Sequence, residues 1–211
     1  MNTLGQMIRY TITDSSRFRD ETTRRAGLLA HARRWASQKI DFAQLREKTL
    51  ETGELLGLAE AMLAIFREQG GTTKLLINSR IDVALAAKAD GVHLTSQREG
   101  LIPAQARRLY AQTTMREPIV SMSCHSLAEV ERTCSLGADL ILFGPVFEKR
   151  VDGRVVTAGV GLEALRQACT AAGETPVLAL GGITEENAAA DRKSTRLNSS
   201  HPSISRMPSS A

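Results

Sequence analysis

Cysteine is scarce in this chain: Cys124, Cys134 and Cys169 are the three among 211 residues. They are odd in number and show neither C-x-x-C spacing nor a paired histidine cluster, which argues against a disulfide frame and a zinc site and for reduced, cytoplasmic thiols. Long apolar runs are missing as well. No stretch of about 18 apolar residues exists to span a bilayer, and Met1 to Tyr10 lacks the basic start and apolar run of a secretory signal. A cytoplasmic protein without membrane contact is the expectation. The body also lacks an excess of charge of one sign. Of 27 basic and 23 acidic residues, Arg192, Lys193, Arg196 and Arg206 against Asp191 fall in the last 21 positions, leaving 23 basic against 22 acidic. So balanced a body is no polyanion-binding surface, and a nucleic-acid partner is not expected.

What is present is one sizeable core's worth of apolar residues, 42% of the chain, and a regular alternation of elements. Strand candidates are Met7 to Ile12, Ile40 to Arg46, Thr73 to Ile77, Gly91 to Leu94, Ile119 to Met122, Leu140 to Gly144 and Val177 to Leu180. Between them, helical spacing runs over Asp20 to Gln38, through Leu55, Leu58, Ala59, Met62 and Ile65, and over Asp82 to Ala89, Pro103 to Ala111 and Leu162 to Ala172. Thr49 and Ser126 are candidate caps, and Gly70, Gly71 and Gly137 candidate stops. Alternation of this kind needs crossovers, hence a parallel sheet covered by helices. Polar residues cluster at the carboxyl ends of the strands and no G-x-G-x-x-G follows the first one, so a closed (β/α)8 barrel is expected over an open doubly wound sheet.

The body, 1–190, reaches the seventh strand and the start of the seventh helix. The tail, 191–211, holds seven serines, two prolines and only Leu197, Ile204 and Met207 as sizeable apolar residues. It has neither a strand's alternation nor a helix's stripe and reads as disordered. Its string R-K-S-T-R-L-N-S-S-H resembles translated sequencing-adapter read-through, so the expectation is a barrel truncated before its eighth strand and fused to a foreign end.

Four places carry chemistry. In Q-L-R-E-K, Gln44, Arg46 and Lys48 lie two apart, so at a strand end they point to one side while Leu45 and Glu47 point to the other. An amide, a guanidinium and an ammonium aimed into a barrel mouth would cradle an anion; the competing reading is a solvated loop with Arg46 paired to Glu47 or Glu51. Asn78 ends the third strand. His93 lies within the fourth, where a hydrogen-bonded inward histidine is the expectation. Ser123 and His125 follow the fifth strand, where a hydroxyl and an imidazole can bind a ligand or move protons, and Cys124 between them faces away. Finally, P-V-L-A-L-G-G-I-T runs a buried strand into Gly181 and Gly182 and then a helix start. Glycines let backbone N–H groups approach a phosphate, and a helix N-terminus adds partial positive charge.

Q-L-R-E-K, I-N-S-R-I-D-V-A-L-A-A-K-A-D-G-V-H-L, G-A-D-L-I-L-F-G-P-V-F and P-V-L-A-L-G-G-I-T-E-E-N, in this order and spacing, resemble the thiamine phosphate synthase/TenI family over about Met7 to Ala190. The resemblance implies a (β/α)8 barrel acting on small phosphorylated heterocycles. Synthases of this kind join a pyrimidine methyl diphosphate to a thiazole phosphate with loss of diphosphate, using magnesium; TenI-type members tautomerise a thiazole carboxylate phosphate. By position, Gln44, Arg46, Lys48, Asn78 and Ser123 resemble the family's diphosphate contacts, and Gly181 and Gly182 part of its thiazole phosphate site. Three departures stand out: Ser79 occupies a usual acid position, Glu99 is the lone acid after the fourth strand's H-L, and Glu148 to Gly153 replace a Thr-rich, Lys-containing loop. One carboxylate makes a poor magnesium site. These changes lean toward the metal-independent tautomerase, with His125 as its proton carrier, whereas the intact Gln44 motif leans toward the condensation. The condensation is the expectation; the tautomerase, a binding-only member and an unrelated phosphosugar barrel are the alternatives, and homo-oligomerisation stays open.

Overall fold

The computed structural model describes residues 8–18, 20–96, 99–151, 154–183 and 201–202. Its strands are β1 (Arg9–Ile12), β2 (Phe42–Leu45), β3 (Lys74–Asn78), β4 (Gly91–Leu94), β5 (Ile119–Cys124), β6 (Leu140–Phe143), β7 (Lys149–Val151), β8 (Arg154–Thr157), β9 (Val177–Ala179) and β10 (His201–Pro202). The crossovers carry α1 (Glu21–Ser37), α2 (Thr52–Glu68), α3 (Ile81–Ala86), α4 (Pro103–Thr113), α5 (Leu127–Ser135) and α6 (Gly161–Ala172). The large sheet runs β10-β1-β2-β3-β4-β5-β6-β9 with every pair parallel, the order of a (β/α) barrel.

Period two decides what each strand residue does. Outward-facing Ala43, Leu45, Leu75 and Ile77 pack with Leu28, Ala32, Trp35, Leu58, Met62 and Phe66 of α1 and α2. Ile141, Phe143, Val177 and Ala179 pack with Val130, Leu165 and Ala168 of α5 and α6. Tyr10, Leu76, Leu140, Leu142 and Leu178 meet in a separate cluster inside the sheet.

Local signals explain the boundaries. Asp20 accepts the Thr23 N–H at 2.8 Å and caps α1. The expected cap at Thr49 is corrected: Glu51 holds that position, its N–H donating to Glu54 Oε2 at 3.3 Å, because a glutamate three residues on can reach back. Ser126 does cap α5, accepting the Glu129 N–H at 3.3 Å. At the amino ends of the strands, aspartates satisfy edge amides of the preceding strand: Asp41 accepts from Arg9 N (2.7 Å), Asp90 from Leu75 N (2.9 Å) and Asp139 from Val120 N (2.7 Å). This gives the A-D-G and G-A-D-L strings a structural role at the closed end of the barrel.

Three further differences from the sequence reading concern connections. A 3-10 turn at Ser15–Arg17 follows β1, with Asp14 accepting from Ser16 N. The segment after β6, read as a loop, contains the antiparallel hairpin β7–β8. Of the tail expected to hold no strand, His201 and Pro202 are described, and they lie parallel to β1 with Arg9 opposite His201 and Tyr10 opposite Pro202. The rest of the tail and the start of the seventh helix lie outside the described residues.

Candidate active site

The mouth is the carboxyl end of the sheet, and β2 sets its floor. Gln44 is 1% exposed and inward, Arg46 and Lys48 continue beyond it into solvent, and Leu45 and Glu47 are buried on the opposite side. The β2 end is tied to β1: Thr13 N donates to Gln44 O at 3.0 Å and Arg46 N donates to Thr13 Oγ1 at 2.8 Å. Among the described residues, neither Glu47 nor Glu51 forms an ion pair with Arg46. The Arg46 charge is instead felt at His93, whose pKa falls to about 3, mostly through burial and further through Arg46. The ring is neutral.

Inside that space the polar side chains form one connected arc. Gln44 Nε2 donates to Asn78 Oδ1 at 2.7 Å, and Tyr10 OH donates to Gln44 Oε1 at 3.0 Å. Tyr10 OH also lies 3.3 Å from Ser121 Oγ. His93 bridges the last gap, Nδ1 to Ser121 Oγ and Nε2 to Ser123 Oγ, both at 2.8 Å. Five strands thus contribute to one hydrogen-bonded chain, and Tyr10, Gln44, His93 and Ser121 are all buried. Such groups are tolerated inside a barrel because each has a partner; an orphaned one would cost about 1–3 kcal/mol. Burial raises the Tyr10 phenol well above its usual value, keeping it a neutral donor.

Gln44, Asn78 and Ser123 are therefore brought together, and the expected inward His93 is what joins Ser123 to the rest. The placement of Ser123 after the fifth strand is corrected: β5 extends to Cys124, so Ser123 is an inward strand residue, half-buried. Cys124 does face away, fully buried against Thr133 Oγ1 at 3.2 Å, and burial pushes its thiol up to about 11. His125 sits just past the strand, exposed, with its N–H on Glu129 Oε2 (2.7 Å) and its ring Nδ1 against Gly144 O at 2.5 Å. A carbonyl only accepts, so Nδ1 donates to it and Nε2 is the ring nitrogen outside that contact. Tyr10 and Ser121 are the site residues the sequence reading missed. Ser121 had a signal, standing two residues before Ser123 and so on the same strand face; Tyr10 had none beyond its place in an apolar strand.

The glycine turn is also at the mouth, but its glycines are explained first by backbone geometry. Gly181 and Gly182 have φ of 89° and 66°. A Cβ on Gly181 would lie 2.6 Å from Pro145 Cβ, and one on Gly182 would lie 2.7 Å from Phe147 O. The turn is laced to the loop after β6 by Val146 N to Leu180 O (2.7 Å) and Phe147 N to Gly181 O (3.1 Å). The helix start that would complete an anion site falls at 184–190, outside the described residues.

The residues present do not fit a magnesium ion. Mg2+ takes hard oxygen ligands in a near-octahedral set anchored by carboxylates. Here the residue after Asn78 is Ser79, whose backbone turns away in the left-handed region at φ 57°, and Glu99 is a single exposed carboxylate. Among the described residues no group of three His, Cys, Asp or Glu is gathered to hold a metal. Nor is any described helix long and apolar enough to cross a membrane.

A parallel sheet in barrel order whose carboxyl end joins two amides, an imidazole and two serines in one hydrogen-bonded arc defines the class: a (β/α) barrel with a polar mouth. The particular family follows from comparison, for the family model described as thiamine monophosphate synthase (TMP-TENI) matches residues 9–195, and the chain belongs to that family. Thiamine-phosphate synthase of Syntrophomonas wolfei is 33% identical over 180 residues, covering 84% of this chain and 78% of that protein. A Geobacter sulfurreducens relative is 42% identical over 147 residues, and the match spans 63% of its length. Among solved structures, thiamine phosphate pyrophosphorylase from Pyrococcus furiosus superposes with TM-score 0.69 at 30% identity, over 89% of this chain and 81% of the other. N-Acetylmannosamine-6-phosphate 2-epimerase from Clostridium perfringens, at 10% identity and TM-score 0.57, shares the fold alone.

Proposed function

We propose that the chain is a thiamine phosphate synthase-type transferase, joining hydroxymethylpyrimidine diphosphate to a thiazole phosphate. The bond between the pyrimidine methylene carbon and the diphosphate oxygen breaks, its electron pair leaving with diphosphate. The thiazole nitrogen lone pair then forms the new carbon–nitrogen bond, so neither an oxidant nor a reductant is required. Departure leaves a carbocation-like pyrimidine, and preorganised donors on the leaving group lower that barrier. The observation that carries the reading is the union of Gln44, Asn78 and Ser123 in one arc at the mouth, with Arg46 and Lys48 following Gln44 along the chain as exposed cations. In this reading those five residues hold the diphosphate, and Gly181 and Gly182 hold the thiazole phosphate. Because the donor set does not suit magnesium, no step is drawn through a metal.

A second reading, a thiazole tautomerase, is favoured by one observation: Gly144 O holds the His125 ring by Nδ1 and leaves Nε2 outside that contact. Supplying both synthase substrates with magnesium, and separately the thiazole carboxylate phosphate alone, decides between them. Thiamine phosphate and diphosphate in equal amounts are expected. Thiazole isomerisation without condensation, abolished by His125→Ala, would replace the first reading with the second. Binding without either turnover would make the chain a binding protein.

A further inference from the structure

The buried arc has a direction, and His93 stands where that direction is set. With Gln44 Oε1 accepting from Tyr10, a hydrogen fills every gap in only one way. Ser121 donates to Tyr10, His93 Nδ1 donates to Ser121, and Ser123 donates to His93 Nε2. In that arrangement the Ser123 proton is committed to His93, and Ser123 presents only lone pairs to the mouth. An anion there needs the opposite. For Ser123 to donate to a diphosphate oxygen, His93 must carry its proton on Nε2. Ser121 then donates to Nδ1, Tyr10 donates to Ser121, the Gln44 amide turns so that Nε2 faces Tyr10 and Oε1 faces Asn78, and the Asn78 amide turns with it so that Nδ2 donates to Oε1. No atom moves farther than a hydroxyl or amide rotation and a tautomer change, but all five links reverse together.

We propose that His93 is a positioning residue that couples the two ends of the diphosphate site, its tautomer determining which end presents a donor: the Asn78 amide N–H when Nδ1 carries the proton, the Ser123 hydroxyl when Nε2 carries it. The ring is suited to this because it is 4% exposed, gripped at both nitrogens by serines, and neutral. A neutral imidazole has one N–H to place, whereas a charged one would donate at both nitrogens and break the chain's polarity. The inference rests on the diphosphate site proposed above and gives that site a two-state character: an anion at Ser123 and the amide orientation of Gln44, two strands or more apart, select each other.

The test is a long-range proton–nitrogen spectrum of the full chain with labelled histidine, read with and without inorganic diphosphate. Without ligand, His93 is expected as the neutral Nδ1–H tautomer; saturating diphosphate is expected to convert it to Nε2–H. Tyr10→Phe keeps the ring and removes one link. Ser121, with no phenol to donate to, then turns its proton to Nδ1, and the Nε2–H tautomer is expected even without ligand. Diphosphate that binds while the tautomer stays the same overturns the coupling and leaves the anion site standing. Failure of diphosphate to bind at all overturns both. A resting His93 tautomer untouched by Tyr10→Phe removes the chain as the route.

Discussion

The two halves of the barrel mouth are built from different materials. From β1 to β5 the interior carries, above Leu76, a sector of polar side chains, Tyr10, Gln44, Asn78, His93, Ser121 and Ser123, joined by hydrogen bonds into one arc. From β6 to β9 the interior is Leu140, Leu142, Leu178 and Leu180, and the polar groups at the rim belong to the backbone of Gly144, Val146, Phe147, Leu180 and Gly181. The difference teaches which changes each half tolerates. A side-chain sector can be altered one group at a time, at the cost of one hydrogen bond and of ligand contact. A backbone sector fails when its close approaches fail, so it is sensitive to added volume.

The comparison is broken most severely by charge at the first half. Arg46→Ala is expected to lower turnover by about 10²-fold or more, the scale of losing one preorganised donor to a leaving group, as measured by steady-state kinetics. The thermal midpoint is expected to move little, because the side chain is exposed. Next is added volume at the second half. A Cβ on Gly144 would lie 2.0 Å from Leu180 O, so Gly144→Ala is expected to destabilise by about 3 kcal/mol in urea unfolding, the upper range for overpacking. A Gly144→Ala variant as stable as the parent contradicts the backbone account of that half. Smaller again is Ser121→Ala, which removes the shared partner of Tyr10 and His93 and is expected to cost about 1–3 kcal/mol in the same measurement.

The smallest expected effect is a slope. His93 titrates near 3 when folded and near 6.5 when free, so between these values the unfolded chain binds the extra proton. Stability from this group is therefore complete above about pH 6.5 and is lost as pH falls toward 3, by at most about 1.4 kcal/mol per pH unit. Comparing urea midpoints from pH 7 to pH 5 for the parent and His93→Gln isolates the term: the parent is expected to lose more over that interval. Equal loss would show that the ring is not held neutral.

Most of this architecture was legible in the sequence because parallel barrels write it in period two and in caps. Every strand from β1 to β6 and β9 fell within one or two residues of its expected span, since apolar runs and glycine stops bracket them. The Gln44, Arg46, Lys48 face was legible from alternation alone. What escaped was pairing across the lumen: nothing in the strings I-R-Y-T-I and I-V-S-M-S-C says that Tyr10 and Ser121, 111 positions apart, share a hydrogen bond. The glycine turn was legible as a turn, but its close packing on Pro145 and Phe147 depends on a loop whose course no local pattern encodes. The Glu51 cap escaped for a simpler reason, because threonine at 49 is the better capping residue by type and lies two residues too early.

Calorimetric titration of inorganic diphosphate into the parent and into an Arg46→Ala, Lys48→Ala double variant tests the central claim most directly. Saturable binding to the parent, weakened about 100-fold or more in the variant with its fold intact, is the predicted result. Equal affinity of the two proteins, or no binding to the parent, would contradict the assignment of this polar mouth to a diphosphate.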